Sequence, residues 1–352
     1  MNNKKFQPDF SYLLDVLHNR RPKRLPLYEH HIDTPFIEKV CGREIALQGS
    51  KPADYEAYYT ELISFWASMT YDGFDYEAAI CDILPGHGAI MGGFPGPIQT
   101  RKDFEAYPFE DIPKIFWEVY TPDLEAIRNV LPPGMKAYGG CGYGIFETSE
   151  DLVGYEFLCT LPYTDPDLFR DLYIKIGDLY MKLWSEMIHR YGDLFAFFRI
   201  GDDMGFKTGM LLPPDIIREH ILPQYKRVIQ LIHSYGKKFL LHNCGKIFDI
   251  MDDFIRIGID AKHSNEDQIA PFEIWIEKYN DRIGLFGGID VNTLCLNSYE
   301  DVYTTVLEKG LKYRSMARGW GLGSGNSIPE FVPVDGFMGM IDAAKEIRRH
   351  EK

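Results

Sequence analysis

Three side chains in the stretch from Lys237 to Glu266 have the types and spacing of metal ligands. The apolar run 239–241 is typical of a strand, and it is followed by His242 and Cys244, which a strand would point to one face. Imidazole, thiolate and carboxylate are ligands of catalytic zinc, which takes three protein ligands and keeps one position open. The spacing therefore predicts zinc at His242, Cys244 and Glu266. The alternative is a small buried thiol and a hydrogen-bonded imidazole without metal.

Strand-like and helix-like segments alternate about eight times, which predicts one α/β domain over residues 1–352 with a (β/α)₈ (TIM) barrel fold. The expected strands are Arg24–Tyr28, Phe74–Cys81, Met135–Gly140, Leu194–Ile200, Lys238–Leu241, Ile259–Lys262, Arg282–Phe286 and Ala317–Leu322. We expect an N-terminal helical extension at Asp9–His18 and a long Gly/Pro-rich loop, Pro85–Thr100, after the second strand; such loops are usually functional. A doubly wound open sheet is the alternative, but no GxGxxG turn follows the first strand.

Active sites of such barrels lie at the carboxyl ends of the strands, so the residues that follow each expected strand are candidates. In chain order they are Glu29, His30, His31, Cys81, Asp82, Cys141, Tyr143, Asp202, Asp203, His242, Cys244, His263, Glu266, Asp290, Ser324 and Asn326. Aspartate, asparagine and serine also cap helices at these positions, whereas capping does not need histidine or cysteine.

Composition argues against several kinds of partner. A net charge of -14 without a basic run disfavours nucleic acid. No apolar run approaches the roughly 20 residues that span a bilayer, so we expect no membrane partner. The N-terminus has no export signal, which predicts a cytoplasmic protein. The 6 cysteines follow no repeating spacing, which favours reduced thiols over a disulfide framework.

The segment from Arg199 to Asp290, which includes GDDMGFKTGMLLPPDIIREH, KKFLLHNCGKIFDIM and RIGLFGGID, resembles the uroporphyrinogen decarboxylase superfamily. The resemblance continues more weakly over nearly the whole chain and implies a (β/α)₈ barrel. Two branches of that superfamily are relevant. One contains cofactor-free decarboxylases, and the other contains zinc-dependent methyltransferases that exchange methyl groups between corrinoid proteins and small molecules.

The decarboxylase branch would have an arginine-rich loop after the first strand and a catalytic aspartate after the second. The segment AAICDIL maps that aspartate onto Asp82, but the first loop here, YEHHIDTPF, contains no arginine. A substrate rich in carboxylates would meet Glu29 and Asp33 instead, so charge complementarity is poor. Asp202 and Asp203 also replace the serine of that branch, and Asn326 replaces its late histidine.

The methyltransferase branch binds zinc through His-x-Cys after strand five, in some members a carboxylate after strand six, and a second cysteine after strand eight. His242 and Cys244 match the pair, Glu266 stands at the place of the carboxylate, and Asn326 lies where the second cysteine is missing. The fourth ligand would then be Asn326 or a residue from the loop Glu29–His31. With one thiolate, the resemblance implies demethylation of an ether or similar donor, with a corrinoid protein as methyl acceptor.

The remaining roles follow from this scheme. Asp82, Asp202 or Asp203 would act as acid, base or substrate anchor, with His30, His31 and Asn326 near the substrate. The aromatic residues Tyr28, Tyr143, Phe146 and Phe206 would line the pocket, the alternative being ordinary core packing. A non-catalytic binding barrel is the third functional class, and family analogy implies a homodimer.

Overall fold

One parallel sheet of seven strands, joined in chain order, organises the molecule. The computed structural model describes residues 6–46, 49, 51–92 and 94–351. The strands are β1 (Gly73–Ala79), β2 (Lys136–Gly142), β3 (Phe195–Gly201), β4 (Phe239–His242), β5 (Ala261–His263), β6 (Gly284–Ile289) and β7 (Trp320–Ser324). Strands that pair with their sequence neighbours and are connected through helices confirm the α/β, TIM-like character of the fold.

The predicted closed barrel of eight strands is wrong in one respect. The segment Arg24–Tyr28 lies beside β7 but makes only a single bridge, between Leu27 and Leu322. The Tyr28 N–H donates to the Leu322 carbonyl at 2.9 Å, and the Leu322 N–H donates to the Pro26 carbonyl at 3.0 Å. Pro26 has no N–H to donate, so the segment cannot extend this pairing into a full ladder. The described residues therefore form a curled sheet of seven strands.

Helices occupy the connections as predicted. They are α1 (Ser11–Leu17), α2 (Thr34–Cys41), α3 (Pro52–Ser68), α4 (Arg101–Ala106), α5 (Ile112–Val130), α6 (Ile145–Val153), α7 (Tyr155–Thr164), α8 (Pro166–Tyr191), α9 (Pro214–Ile216), α10 (Leu222–Ser234), α11 (Phe248–Ile257), α12 (Phe272–Tyr279), α13 (Val291–Leu296), α14 (Tyr299–Met316) and α15 (Val334–Arg349). A π-helical turn at Ile217–Ile221 joins α9 to α10 just before Pro223, whose missing N–H interrupts the regular ladder. None of the helices in the described ranges is both long and apolar enough to cross a membrane.

The loop after β1 is long, as expected, and it includes short 3₁₀ turns at Cys81–Ile83 and Ala89–Met91. Residue 93 within it lies outside the described residues.

Aromatic rings fill the space enclosed by the curled sheet. Tyr28 packs on Tyr138 with ring centroids 4.9 Å apart and on Phe286 at 4.7 Å, and Tyr138 stacks on Phe197 at 5.2 Å. Every residue of β3 is buried, as expected for a parallel strand covered on both faces. Tyr28 is fully buried in this layer, which agrees with core packing, the alternative that the sequence left open for it.

Glu29 fixes the segment after Tyr28 to the end of β7. Its carboxyl oxygens accept the Ser324 N–H at 3.0 and 3.2 Å, and Oε1 lies 3.4 Å from the Tyr71 hydroxyl. Burial raises the pKa of Glu29 to about 8, although the hydrogen bonds from Ser324 and Tyr71 act in the opposite direction. Ser324 Oγ has one proton and two oxygen partners, Glu29 Oε2 and the Asn326 carbonyl, so a protonated Glu29 supplies the missing proton. Glu29 therefore holds the sheet edge as a neutral acid and is not free to be the fourth metal ligand considered above.

The substitution Glu29→Gln reproduces the neutral acid and tests this assignment. The folded-state pKa lies above the unfolded one, so wild-type stability should fall between about pH 5 and pH 8 by up to about 1.4 kcal/mol per pH unit relative to the variant. We expect similar free energies of unfolding at pH 5 and a more stable variant at pH 8, measured by urea denaturation. The exposed control Glu219→Gln should show no such window, and a pH-independent difference for Glu29→Gln would contradict the assignment.

Candidate functional site

A cavity of about 510 Å³ opens at the carboxyl ends of the strands, where the sequence places the candidate residues. Eight predicted site residues contribute to its wall, namely His30, His31, Asp82, Tyr143, Asp203, His242, Cys244 and Asn326. The wall also contains Asp75, Glu77, Ala79, Glu147, Arg199, Gly201 and Ser327. The structure thus brings most of the predicted site into one place.

A chain of hydrogen bonds fixes which nitrogen of His242 is free. His263, the neighbour of His242 in the β4–β5 pairing, donates its Nε2–H to the Ser324 carbonyl at 3.0 Å. Burial lowers the pKa of His263 to about 3, so the ring is neutral and its Nδ1 is an acceptor. The Nδ1–H of His242 donates to that atom at 2.7 Å. His242 is therefore left with a lone pair on Nε2.

That lone pair points at the thiol of Cys244, whose Sγ lies 3.1 Å from His242 Nε2. Asp203 stands beside them, since its Oδ1 accepts the Cys244 N–H at 2.7 Å. Ligand atoms of Asp203, His242 and Cys244 lie within 4.8 Å of one another. Burial, and then the charge of Asp203, raise the pKa of the Cys244 thiol well above its usual value.

Glycine allows the loops that carry these residues to approach. A Cβ on Gly245 would lie 2.0 Å from the backbone of Gly205, so no side chain fits between the loop after β3 and the loop after β4. The Lys246 N–H donates to the Phe206 carbonyl at 3.0 Å and ties the two loops together. This contact places Asp203 next to Cys244.

His30 forms a second candidate group with His242 and His263, also within 4.8 Å. Its ring stacks on His242 with centroids 3.5 Å apart, and its Nδ1 is buried without a hydrogen-bond partner among the described residues. Burial and then the charge of Arg199 hold its pKa well below the usual range. Because His263 uses both ring nitrogens in hydrogen bonds, this trio has fewer free lone pairs than Asp203, His242 and Cys244.

Glu266 lies elsewhere, although it was predicted as the third ligand. Its carboxylate pairs with Lys207 at 3.5 Å and lines a neighbouring cavity. Within the described ranges, Glu266 belongs to neither group of candidate ligands. The carboxylate beside His242 and Cys244 is that of Asp203. The strand β5 ends at His263, so Glu266 lies three residues beyond it.

Asp202 is a structural residue, in contrast to its predicted catalytic role. Its carboxylate accepts the Phe146 N–H at 3.0 Å, the Glu147 N–H at 2.9 Å and the Tyr225 hydroxyl at 2.5 Å. Asp202 therefore caps the N-terminus of α6 from another strand end. A Cβ on Gly144 would lie 1.9 Å from Asp202 Cγ, so glycine at the start of α6 makes room for the carboxylate.

Besides Tyr28, two other aromatic residues that were predicted to line the cavity do not line it. Phe146 is fully buried in α6, and Phe206 is 60% exposed on the loop after β3. Tyr143 does line it, with φ 61°, a strained value for a residue other than glycine. His31 lies at the rim with about half of its side chain exposed, and its Nδ1 is 2.7 Å from an Asp75 carboxylate oxygen. Partial desolvation lowers the pKa of His31, but the hydrogen bond to Asp75 and the charge of Asp75 raise it by more, so the net shift is upward.

A buried ion cluster in the cavity wall was not predicted from the sequence. Arg199 donates to the His30 carbonyl at 2.6 Å and to Asp75 at 2.8 Å, and it also pairs with Glu77. A signal existed, because Asp75 and Glu77 are charged residues two positions apart in a strand and therefore share a face.

Glu147 was also missed. It lines the cavity, and burial followed by the charges of Asp202 and Asp203 raises its pKa well above the usual range. A carboxyl group in this environment holds its proton to higher pH than a solvent-exposed one does. Hydrogen bonds between the start of α6 and the residues after β3 bring Glu147 into the site. These residues are far apart in the sequence, so no local spacing predicts the contact.

The substitution Asp202→Ala should lower the free energy of unfolding by on the order of 3 kcal/mol, because it leaves buried donors of α6 and Tyr225 without an acceptor. The exposed rim variant Asp82→Ala should change it by less than about 0.5 kcal/mol. Urea denaturation followed by circular dichroism measures both. Equal effects of the two substitutions would contradict the capping role of Asp202.

Comparisons with known proteins agree with this architecture. The family model described as uroporphyrinogen decarboxylase (URO-D) matches residues 81–347. A methyltransferase from Methanosarcina mazei has a similar structure, with a TM-score of 0.74 at 17% identity over 97% of this chain and 99% of that one. A B12-independent methionine synthase from Shewanella sp. W3-18-1 is more distant, with a TM-score of 0.44 at 16% identity over 66% of this chain and 67% of that one. The comparison with curated proteins gave no significant match. The match over most of the chain establishes that the protein belongs to the uroporphyrinogen decarboxylase family.

Proposed function

We propose that the protein is a zinc-dependent methyltransferase that moves a methyl group between a small molecule and a corrinoid protein. The observation that carries this proposal is the convergence of His242 Nε2, Cys244 Sγ and an Asp203 carboxylate at the base of one cavity. Three ligands of these types beside an open space are the donor set of catalytic zinc. The structural similarity to a methyltransferase of the same fold supports this branch of the family.

The residues present fit a zinc ion. His242 offers a lone pair, Cys244 would bind as a thiolate, and Asp203 would replace Glu266 in the predicted set. Bound zinc would act as a Lewis acid that polarises a methoxy oxygen or lowers the pKa of a thiol or hydroxyl group. His263 would fix the orientation of His242, as partners of metal-binding histidines commonly do.

Glu147 has the properties needed for the proton transfer in ether demethylation. The oxygen that loses its methyl group keeps the bonding electron pair and must take up a proton. Glu147 lines the cavity beside Asp203, whose N–H it accepts at 3.3 Å, and burial raises its pKa, which favours the protonated form that a general acid needs. We therefore assign it the acid role for which the sequence suggested Asp82, Asp202 or Asp203.

The charge of the cavity opposes the alternative, decarboxylation of a substrate rich in carboxylates. Five carboxyl groups lie in its wall, those of Asp75, Glu77, Asp82, Glu147 and Asp203. Arg199 is the only arginine or lysine that lines this cavity in the described part of the chain, and it is already paired with Asp75 and Glu77. A substrate with several carboxylates in this cavity would meet like charges, whereas a metal cation or a neutral methoxy group would not.

Zinc content and methyl transfer test the proposal together. Purified wild-type protein should contain about one zinc per chain, and Cys244→Ala should lose it. Asp203→Asn keeps the acceptor for the Cys244 N–H but should weaken zinc binding at least tenfold, while Glu266→Gln should not. Elemental analysis measures the metal, and alkylation of cob(I)alamin by a panel of methoxy compounds measures activity. Full activity of metal-free protein would rule out this mechanism, and chelator-resistant decarboxylation lost in Asp82→Asn would favour the alternative.

His263→Leu should weaken zinc binding by about 10- to 100-fold without removing a ligand, because His242 would lose the acceptor that holds its Nε2 lone pair toward Cys244. Competition with a chromogenic zinc chelator gives the dissociation constants. The matched control is His31→Leu at the exposed rim, which should bind zinc as the wild type does. An unchanged zinc affinity in a folded His263→Leu variant would exclude the orienting role.

A further inference from the structure

A second cavity of about 280 Å³ adjoins the main one, and we call it the side chamber. Asn326 and Ser327 line both spaces, so the two are neighbours at the same end of the sheet. The polar residues that line the side chamber but not the main cavity are Lys207, Asn265, Glu266, Asp290 and Asn292. The proposed metal ligands do not line it.

Asn265 lines the side chamber and has a hydrogen-bond donor without a partner among the described residues. The residue is 3% exposed, and its Oδ1 accepts the Gly288 N–H at 2.8 Å, which fixes which end of the amide is oxygen. The other end, Nδ2, has no partner among the described residues. Buried polar atoms without partners are rare and call for an explanation. A ligand oxygen in the chamber would provide one.

The surroundings hold this amide firmly in place. A Cβ on Gly287 would lie 2.9 Å from Asn265 Oδ1, and a Cβ on Gly325 would lie 2.0 Å from the Asn265 carbonyl oxygen. The preceding residue, Ser264, has φ 91°, a strained conformation for a residue other than glycine. The backbone therefore approaches closely on two sides and leaves the amide group little freedom to turn.

The charges of the side chamber are largely committed. Asp290 accepts the Asn292 N–H and the Asp267 N–H, each at 2.7 Å. Lys207 is half exposed; its ammonium group donates to Gln268 Oε1 at 3.1 Å and lies 3.5 Å from the Glu266 carboxylate. An ammonium group has three donors, so Lys207 can still donate to a ligand. An incoming oxygen could therefore accept from Asn265 Nδ2 and from the ammonium group of Lys207.

We propose that the side chamber binds an oxygen acceptor, a carboxylate or a carboxamide, at the end of the substrate remote from its methyl group, with Asn265 and Lys207 as specificity-determining residues. The inference rests on the proposed function only in assigning the methyl-bearing end to the main cavity. A substrate of this kind is bipolar: its methyl group lies by the metal ligands and its polar group lies behind Asn326.

Three compounds with the same methoxyphenyl group test the proposal. Their dissociation constants are measured by calorimetry on the full chain, with and without zinc. The compounds are 3-methoxybenzoate, 3-methoxybenzamide and 3-methoxytoluene. We expect the two oxygen-bearing compounds to bind at least tenfold more tightly than the methyl analogue. Asn265→Asp keeps the acceptor for the Gly288 N–H and removes the free donor, so it should reduce the preference to within about twofold.

Lys207→Met separates the two kinds of oxygen group. It should weaken binding of the benzoate at least fivefold and leave the benzamide within about twofold, while the exposed control Lys226→Met should change neither. Equal binding of the three compounds by the wild type, an unchanged preference in Asn265→Asp, or equal weakening of all three compounds by Lys207→Met would overturn the proposal. Because binding is measured without methyl transfer, discrimination by a protein that transfers no methyl group would count against the proposed function and leave this inference standing.

Discussion

The hydrogen bond between His242 and His263 is the constraint on which the candidate site depends. A neutral imidazole has one proton and one lone pair, so the Ser324 carbonyl that takes the proton of His263 also determines the proton position on His242. The free lone pair of His242 consequently faces Cys244 and Asp203 instead of the sheet. The alignment of β4, β5 and β7 therefore determines that Nε2 of His242 carries the free lone pair. Ser324 is in turn held by Glu29, so one residue belongs both to the edge of the sheet and to the support of the site.

Burial gives the carboxyl groups around the cavity different functions. Glu29 is neutral and structural, Asp202 accepts from donors of α6 and Tyr225, and Glu147 lines the cavity with a pKa that burial raises. Chemically similar groups therefore differ because of the donors that surround them. A cavity with several carboxylates and one committed arginine suits a cation better than an anion, which is why the electrostatics and the donor set support the same proposal.

Close backbone approach explains how loops from different strands meet. Gly144 admits Asp202, and Gly245 packs against Gly205, so each glycine marks a point where a side chain would separate two parts of the site. Tyr143 and Ser264 adopt strained backbone angles at the same end of the sheet. Strain of this kind persists where the surrounding structure holds it, and it commonly accompanies functional sites.

The sequence alone determined the order and boundaries of most elements, because hydrophobic periodicity and strand-end residues are local signals. It also identified His242 and Cys244, since the two-residue repeat of a strand relates neighbours directly. It could not determine which carboxylate joins them. Glu266 and Asp203 both follow strands in the sequence. The packing of Gly205 against Gly245 in the folded structure is what places Asp203, and not Glu266, beside His242 and Cys244. The first predicted strand, Arg24–Tyr28, forms only a single bridge, because its apolar pattern is typical of a strand but Pro26 has no N–H to donate to a ladder. Roles that depend on proton position, such as those of His263 and Glu147, required the tertiary structure, since the partners that fix a proton come from distant parts of the chain.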